Sequence, residues 1–435
     1  MNRATGVFLA AVVLALVAGH LLRDTPGYVV RQADGTLAGD IDHYVYWTRL
    51  VTLGGVESAY SGTWPETYAV YPPLNLYAYQ AIGGLYRAFE DPEFDPHRAQ
   101  QSVWLRRAIK FVALGWHLLA ALAIFALVRL AAGPTLAGLS GAAYVANPAA
   151  LYDVAHWAQP DAAHSLFSVL AIGLLSLGSS LLPWAAIALA ALAKPQAWVL
   201  LPLVGLATWR RDGLPGIGRG VLVGAAVGIA CVLAFLVSGR VPELLSLPGT
   251  ISSVMPVVSA DAHNVWQLVL EARGMDPITT PDSSRLVGPL TYRVAAGALV
   301  AAVLLLSYWL VWTERASLAE AAALGVLGWF VFTTQAHENH LFFALPLLAL
   351  AWPARGSLLL VYGLLSLTLL LNMLLHDELV LEALGLDLHH ATVQQLRTVN
   401  AGLNVATLLA WAYAATVRVR WAAQQPSRTP ARATS

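Results

Sequence analysis

About twelve apolar windows dominate this chain, near residues 4–22, 108–131, 134–150, 162–179, 181–193, 196–209, 217–238, 294–313, 318–335, 340–353, 356–375 and 398–417. A helix of about 20 apolar residues crosses the roughly 30 Å hydrocarbon layer of a bilayer. Only 11% of the 435 residues are charged and 58% are hydrophobic, with a mean hydropathy of +0.62. Soluble domains carry about 25% charged residues, so the expected fold is an all-α polytopic membrane protein with about 12 transmembrane helices. A soluble multidomain enzyme, a disordered chain and a secreted disulfide scaffold are excluded. Cys231 is the only cysteine, so no intrachain disulfide or cysteine metal cluster is possible. Charges balance at 25 against 25, which leaves no general basic patch for nucleic acid. The windows 181–193, 196–209 and 340–353 are short for a full crossing. They are expected to be tilted, broken or re-entrant, which requires protein or a cavity to cover the free backbone. The first window is either a span or a signal peptide, and no clear small-x-small cleavage site precedes Arg23.

Arginine sets the orientation. With the N-terminus inside, the short inner loops hold Arg3, Arg129, Arg210, Arg211, Arg219, Arg315, Arg355 and Arg418 against Asp212, Glu314 and Glu320. Arg420, Arg428 and Arg432 fall on the same side, whereas Arg106, Arg107 and Lys110 at an outward helix start run against it. The outer side then carries two long loops, 23–107 and 239–293, with a shorter one at 376–397. Chemistry is expected on that face, because the inner loops are barely long enough to turn. Residues 1–420 read as one transmembrane domain whose outer loops contain interfacial helices, and 421–435 as a disordered cytoplasmic tail.

The polar motifs all fall on the outer side. Gly39-Asp40-Ile41-Asp42-His43-Tyr44-Val45-Tyr46-Trp47 sets two carboxylates two residues apart. On a helix they point about 200° apart, and in a strand to one side. This stretch is either a solvated loop leading into an interfacial helix, with Tyr44, Tyr46 and Trp47 at headgroup level, or a catalytic segment. Gly39 would permit a tight turn before Asp40. Tyr71-Pro72-Pro73-Leu74 follows, rigidified by its prolines. Asn147-Pro148 and His156-Trp157-Ala158-Gln159-Pro160-Asp161 stand at a helix break, where Trp157, Gln159 and Asp161 either contact sugar or cap helix ends. Lys194 in Lys194-Pro195-Gln196 must snorkel, pair or bind an anion. Asp261-Ala262-His263-Asn264-Val265-Trp266 lies in the second loop, and His337-Glu338-Asn339-His340 between two apolar helices. The latter lacks the spacing of a zinc protease.

As a series, these residues resemble the GT-C superfamily, and within it the dolichyl-phosphate-glucose glucosyltransferases and related mannosyltransferases. The likeness rests on Gly39-Asp40 with Trp47, Tyr71-Pro72-Pro73-Leu74, Trp157-Ala158-Gln159-Pro160-Asp161, Lys194-Pro195-Gln196, Asn264-Val265-Trp266 and His337-Glu338-Asn339-His340, in family order over residues 39–346. Ala158 stands where the family has glycine, and Asn339 where it has a basic residue. The resemblance implies an inverting glycosyltransferase that takes a hexose or pentose, with mannose or glucose foremost, from a polyprenyl-phosphate-sugar donor. The acceptor would be a lipid-linked glycan or another molecule at the outer face of a bacterial plasma membrane, with membrane lipid as a further partner. It places the catalytic carboxylate on Asp40. His337, His340 and Lys194 become the donor-phosphate candidates, and Asp42, Tyr71, Trp157, Gln159, Asp161, Asn264, Trp266 and Glu338 the substrate-binding ones. No metal or other cofactor is carried over. Two further classes stay open: a lipid or polysaccharide flippase, which would favour charges within the spans, and a non-catalytic subunit of the same fold, which would lack Asp40 function.

Overall fold

Ser102 closes the first loop and starts the 30-residue helix Val103–Ala132, its hydroxyl accepting the Leu105 N–H at 3.1 Å. Ser317 and Thr291 start Leu318–Phe332 and Tyr292–Trp312 in the same way. The structure, a computed structural model, describes residues 3–31, 37–62 and 68–418. The expected tail 421–435 and Arg420, Arg428 and Arg432 lie outside the described residues.

Each apolar window holds helix. Arg3–Leu22, Val103–Ala132, Pro195–Cys231 and Tyr292–Trp312 are long and apolar enough to cross a bilayer by themselves. The apolar helices Asp161–Ser176 and Leu318–Phe332 are shorter, and they bury almost every side chain against their neighbours. Short helices of this kind sit inside the bundle, where protein rather than lipid covers their ends. Outward-facing leucines and valines such as Leu222 and Val237 are instead widely exposed, as a lipid-facing surface requires. The chain is an integral membrane protein.

The windows 196–209 and 217–238 join into one run interrupted at Gly213, whose φ of 64° with Pro215 beyond it breaks the helical ladder. The window 340–353 is broken as expected: a 3₁₀ turn His340–Phe343 leads into Ala344–Ala351. The last helix starts earlier than its window, at Ala391, where His390 accepts the Thr392 N–H.

Two features of the outer loops differ from expectation. Short antiparallel ribbons interrupt the all-α pattern, pairing Val29–Arg31 with Leu37–Gly39 and Arg285–Val287 with Leu290–Thr291. The helix Asp40–Gly54 does not hold Tyr44 and Trp47 at a surface, as an interfacial helix would. Tyr44 and Trp47 are 1% and 2% exposed, packed with Ile41 and Tyr79 in a separate core above the start of Val103–Ala132. Adjacent aromatic rings favour each other over water, so the loop folds into a cap.

Glu320, Arg355 and Arg418, all assigned to the inner side, meet in space. The buried Glu320 carboxylate lies 3.2 Å from Arg355 Nε, pairs with Arg418 and accepts from Trp411 Nε1 at 3.3 Å. This cluster ties the last helix to the start of Leu318–Phe332 and to the turn at Arg355.

Candidate active site

Gly39 precedes Asp40 for a reason other than a tight turn. Its φ of −148° is ordinary extended backbone. It pairs with Val29 in the ribbon, and a Cβ there would run into the Tyr28 carbonyl. Asp40 is therefore delivered as the first residue of its helix, beside the backbone of the first strand. Asp42 accepts the Gly39 N–H at 2.9 Å and pairs through its other oxygen with Arg106. The two carboxylates diverge, as helical spacing dictates. Asp42 caps and anchors the helix, whereas Asp40 faces a cavity.

Gln159 fixes the Asp40 carboxylate. Its amide nitrogen donates to Asp40 Oδ2, while its oxygen accepts from the hydroxyls of Tyr44 at 2.9 Å and Tyr71 at 3.5 Å. Tyr71 is held in turn by the Tyr60 hydroxyl, which donates to its carbonyl at 2.6 Å. Burial raises the Asp40 pKa above the ordinary aspartate value, partly offset by His43, the Gln159 hydrogen bond and Lys194.

The cavity has a volume of about 1130 Å³, and the segments 23–107 and 239–293 both contribute to it. Of the residues expected from sequence, it gathers Asp40, Tyr71, Gln159, Lys194, His337, Glu338 and His340. Asp42, Trp157, Asp161, Asn264 and Trp266 do not line it, and each has other partners. Trp157 is fully buried behind the wall, against the Tyr28 ring, with its Nε1 3.3 Å from Asp377. Asn264 caps Val265–Glu271, and Trp266 Nε1 donates to the Phe332 carbonyl at 2.8 Å. Together they clip the second loop to the end of Leu318–Phe332.

Of the outcomes open to Lys194, the structure shows pairing rather than a free cation for the donor phosphate. Its Nζ lies 2.8 and 2.7 Å from the two oxygens of Asp161, and both side chains are almost wholly buried. Asn339 donates to Asp161 and to Asp153, each at 3.1 Å. Lys194 thus spends its charge inside the protein, 5.2 Å from the Tyr71 ring. His337 faces the cavity, but burial and the Lys194 charge push its pKa down to about 4, which favours the neutral ring. His340 Nδ1 accepts the His337 N–H at 3.2 Å, so it braces the turn that presents His337. Glu338 is pushed well above the carboxylate range by burial and by Asp261, with a further push from Asp40; this favours its protonated form.

The lining also holds polar residues that had no expected role, among them Asp261, from a motif already noted in the second loop, and His376 and Arg397. Arg397 is 8% exposed, donates to the Leu375 carbonyl at 2.6 Å, and has no ion pair among the described residues. Burial pushes the Asp261 pKa up to about 6, against the pull of Arg397. Among the described residues, no group of three or more His, Cys, Asp or Glu side chains is arranged to hold a metal ion.

Ala158, fully buried in the core of the cap, carries a φ of 65° at the position where the related motif has glycine. Left-handed backbone costs a residue with a Cβ about 1–2 kcal/mol, and glycine returns part of that as unfolded-state entropy. Ala158→Gly is expected to stabilise the protein by up to about 1 kcal/mol, read as a higher midpoint of thermal unfolding in detergent. An unchanged or lower midpoint would show that the strain is not felt.

No protein-family model matches the chain, and a search of curated proteins finds no match. Solved structures do match in fold. ArnT from Cupriavidus metallidurans in the apo state aligns with a TM-score of 0.52 at 17% identity, over 96% of this chain and 78% of that one. The same protein bound to undecaprenyl phosphate aligns at 0.50 and 15% identity, over 95% and 78%. The chain therefore shares an ArnT-like membrane fold.

Proposed function

We propose that this protein is an inverting glycosyltransferase of the outer membrane face, moving a hexose or pentose from a polyprenyl-phosphate-sugar donor to a lipid-linked glycan or similar acceptor. The observation that carries the reading is the Asp40 carboxylate, oriented by Gln159 on the wall of a cavity large enough for a sugar and its phosphate. The shared fold supports it, since ArnT binds undecaprenyl phosphate. About twelve crossings with both termini inside, a single domain over 1–420 and a bacterial plasma membrane complete the proposal.

In the mechanism, Asp40 accepts the acceptor hydroxyl's proton as that oxygen attacks the anomeric carbon. The bond to the lipid phosphate breaks, and the electron pair leaves on the phosphate oxygen. A phosphate leaves without being protonated, so no general acid is required. Fixed donors must meet its growing charge. Arg397 and the neutral His337 ring take that part. Lys194, neutralised by Asp161, contributes to it only through the Tyr71 wall. Mannose and glucose are the first sugars to test, with arabinose as the pentose.

The test offers the purified protein in vesicles the short-chain polyprenyl phosphates of mannose, glucose and arabinose. Consumption of one donor, with release of polyprenyl phosphate, is expected. Movement of intact lipid across the bilayer would identify a flippase. Binding without turnover or movement would identify a non-catalytic subunit.

A further inference from the structure

On the wall contributed by the second loop, Asp261 adopts a φ of 66°, a left-handed conformation that disfavours residues with a Cβ. Such strain persists only where the surroundings impose it. Here Asn372 holds Asp261 directly, and two further asparagines from an apolar helix hold His263 beside it. Asn372 donates to the Asp261 carbonyl at 2.8 Å and accepts the His263 N–H at 2.8 Å. Asn404 donates to the His263 carbonyl at 2.9 Å, and Asn400 Nδ2 meets His263 Nδ1 at 2.7 Å. The Ala260 N–H also donates to the Ala336 carbonyl at 2.9 Å, and Asp261 forms a bridge with His337.

These contacts fix the tautomers in series. The Asn400 amide nitrogen also donates to the Thr368 carbonyl at 2.8 Å, so it is the nitrogen that faces His263. His263 Nδ1 then accepts, and its Nε2 carries the proton. That proton points to His376 Nε2 at 3.1 Å, which leaves His376 protonated on Nδ1, 3.3 Å from Asp261 Oδ1. The array ends on a carboxylate that is 26% exposed to the cavity. A neutral imidazole N–H beside a carboxylate restricts its orientation without neutralising it.

We infer that Asp261 is the carboxylate that binds hydroxyls of the donor sugar, and that His376 is a positioning residue for it. The inference rests on the transferase reading above. Asp261 is joined through backbone bridges to His337, so a sugar whose phosphate lies at His337 presents its ring hydroxyls toward this wall. Those hydroxyls donate to the free carboxylate lone pairs, and no bond to carbon is made or broken at Asp261.

The experiment compares the affinity of the full-length protein in nanodiscs for undecaprenyl phosphate with its affinity for the glucosyl, mannosyl and arabinosyl phospholipids. It needs no turnover. Wild type is expected to favour one sugar-bearing lipid over the bare phosphate by about tenfold or more, the scale of a hydrogen bond to a charged group. Asp261→Asn and Asp261→Gly should lose that preference while binding undecaprenyl phosphate within about twofold of wild type. The glycine variant relieves the backbone, so its loss of preference cannot come from strain. His376→Ala should lose most of the preference. His376→Asn, whose amide nitrogen can stand near the position of Nδ1, should restore it. The inference is overturned if wild type shows no preference, if Asp261→Gly keeps it, if bare-phosphate binding falls in parallel, or if His376→Asn matches His376→Ala. Failure of all three donors to turn over while the Asp261-dependent preference persists would overturn the transferase reading alone.

Discussion

Asp40→Asn is expected to lower glycosyl transfer by about 10²–10⁴-fold, the range for losing a general base, with donor binding close to normal. The substitution keeps the size of the side chain and its contact with Gln159, but removes the lone pair that takes the acceptor proton. Asp42→Asn is expected to leave transfer nearly intact. Its amide oxygen can still accept the Gly39 N–H, and the pair it loses with Arg106 is about a quarter exposed on each side. Such pairs are worth about 0.2–1 kcal/mol. The pH profile gives a second reading. Burial raises the Asp40 pKa while His43 and Lys194 restrain it and Asp161 adds to it. The carboxylate form is the active one, so kcat should fall as pH drops through the raised value, above the ordinary aspartate midpoint of about 3.9. Equal losses in the two asparagine variants would show that the helix start, not the Asp40 carboxylate, matters.

Lys194→Ala is expected to destabilise the protein by about 3–5 kcal/mol, as when one partner of a buried ion pair is removed. Asp161 and Asp153 are 1% and 0% exposed, and Asn339 alone would remain between them. Removing the Asp161 charge as well should recover much of the loss, because no uncompensated ion is then left. Lys194→Met with Asp161→Asn, unfolded by denaturant beside each single variant, measures this recovery. Wild-type stability in Lys194→Ala together with a raised donor KM would return the lysine to the donor phosphate.

Much of the site was legible because its residues stand at breaks between apolar runs, where polar side chains have few reasons to be. Asp40, Tyr71, Gln159, His337 and Glu338 lie in such breaks and meet in the cavity. Type and order could not reveal direction. Trp157, Asn264 and Trp266 come from equally conspicuous motifs, yet they spend their polar atoms on Asp377 and on backbone carbonyls. Lys194 was recognised as needing a partner, and its partner came from a motif 33 residues away that itself looked like a sugar site. His376, Arg397, Asn372, Asn400 and Asn404 were missed because they lie in or beside apolar helices. Single polar residues there are visible only as interruptions of hydropathy, although 400 and 404 share a helix face and converge on His263. From sequence the aromatic cap stays open between an interfacial helix and a catalytic segment, because Tyr and Trp serve both a bilayer surface and a packed core. Only packing against the helix Leu74–Phe89, which carries Tyr79, distinguishes them.

The most direct test of the central claim is the anomeric configuration of the product, read by proton NMR after transfer from whichever polyprenyl-phosphate sugar is consumed. A single displacement assisted by Asp40 predicts a glycoside of configuration opposite to the donor. A glycoside with the donor's own configuration would make Asp40 a nucleophile or place the chemistry elsewhere, and would contradict the account.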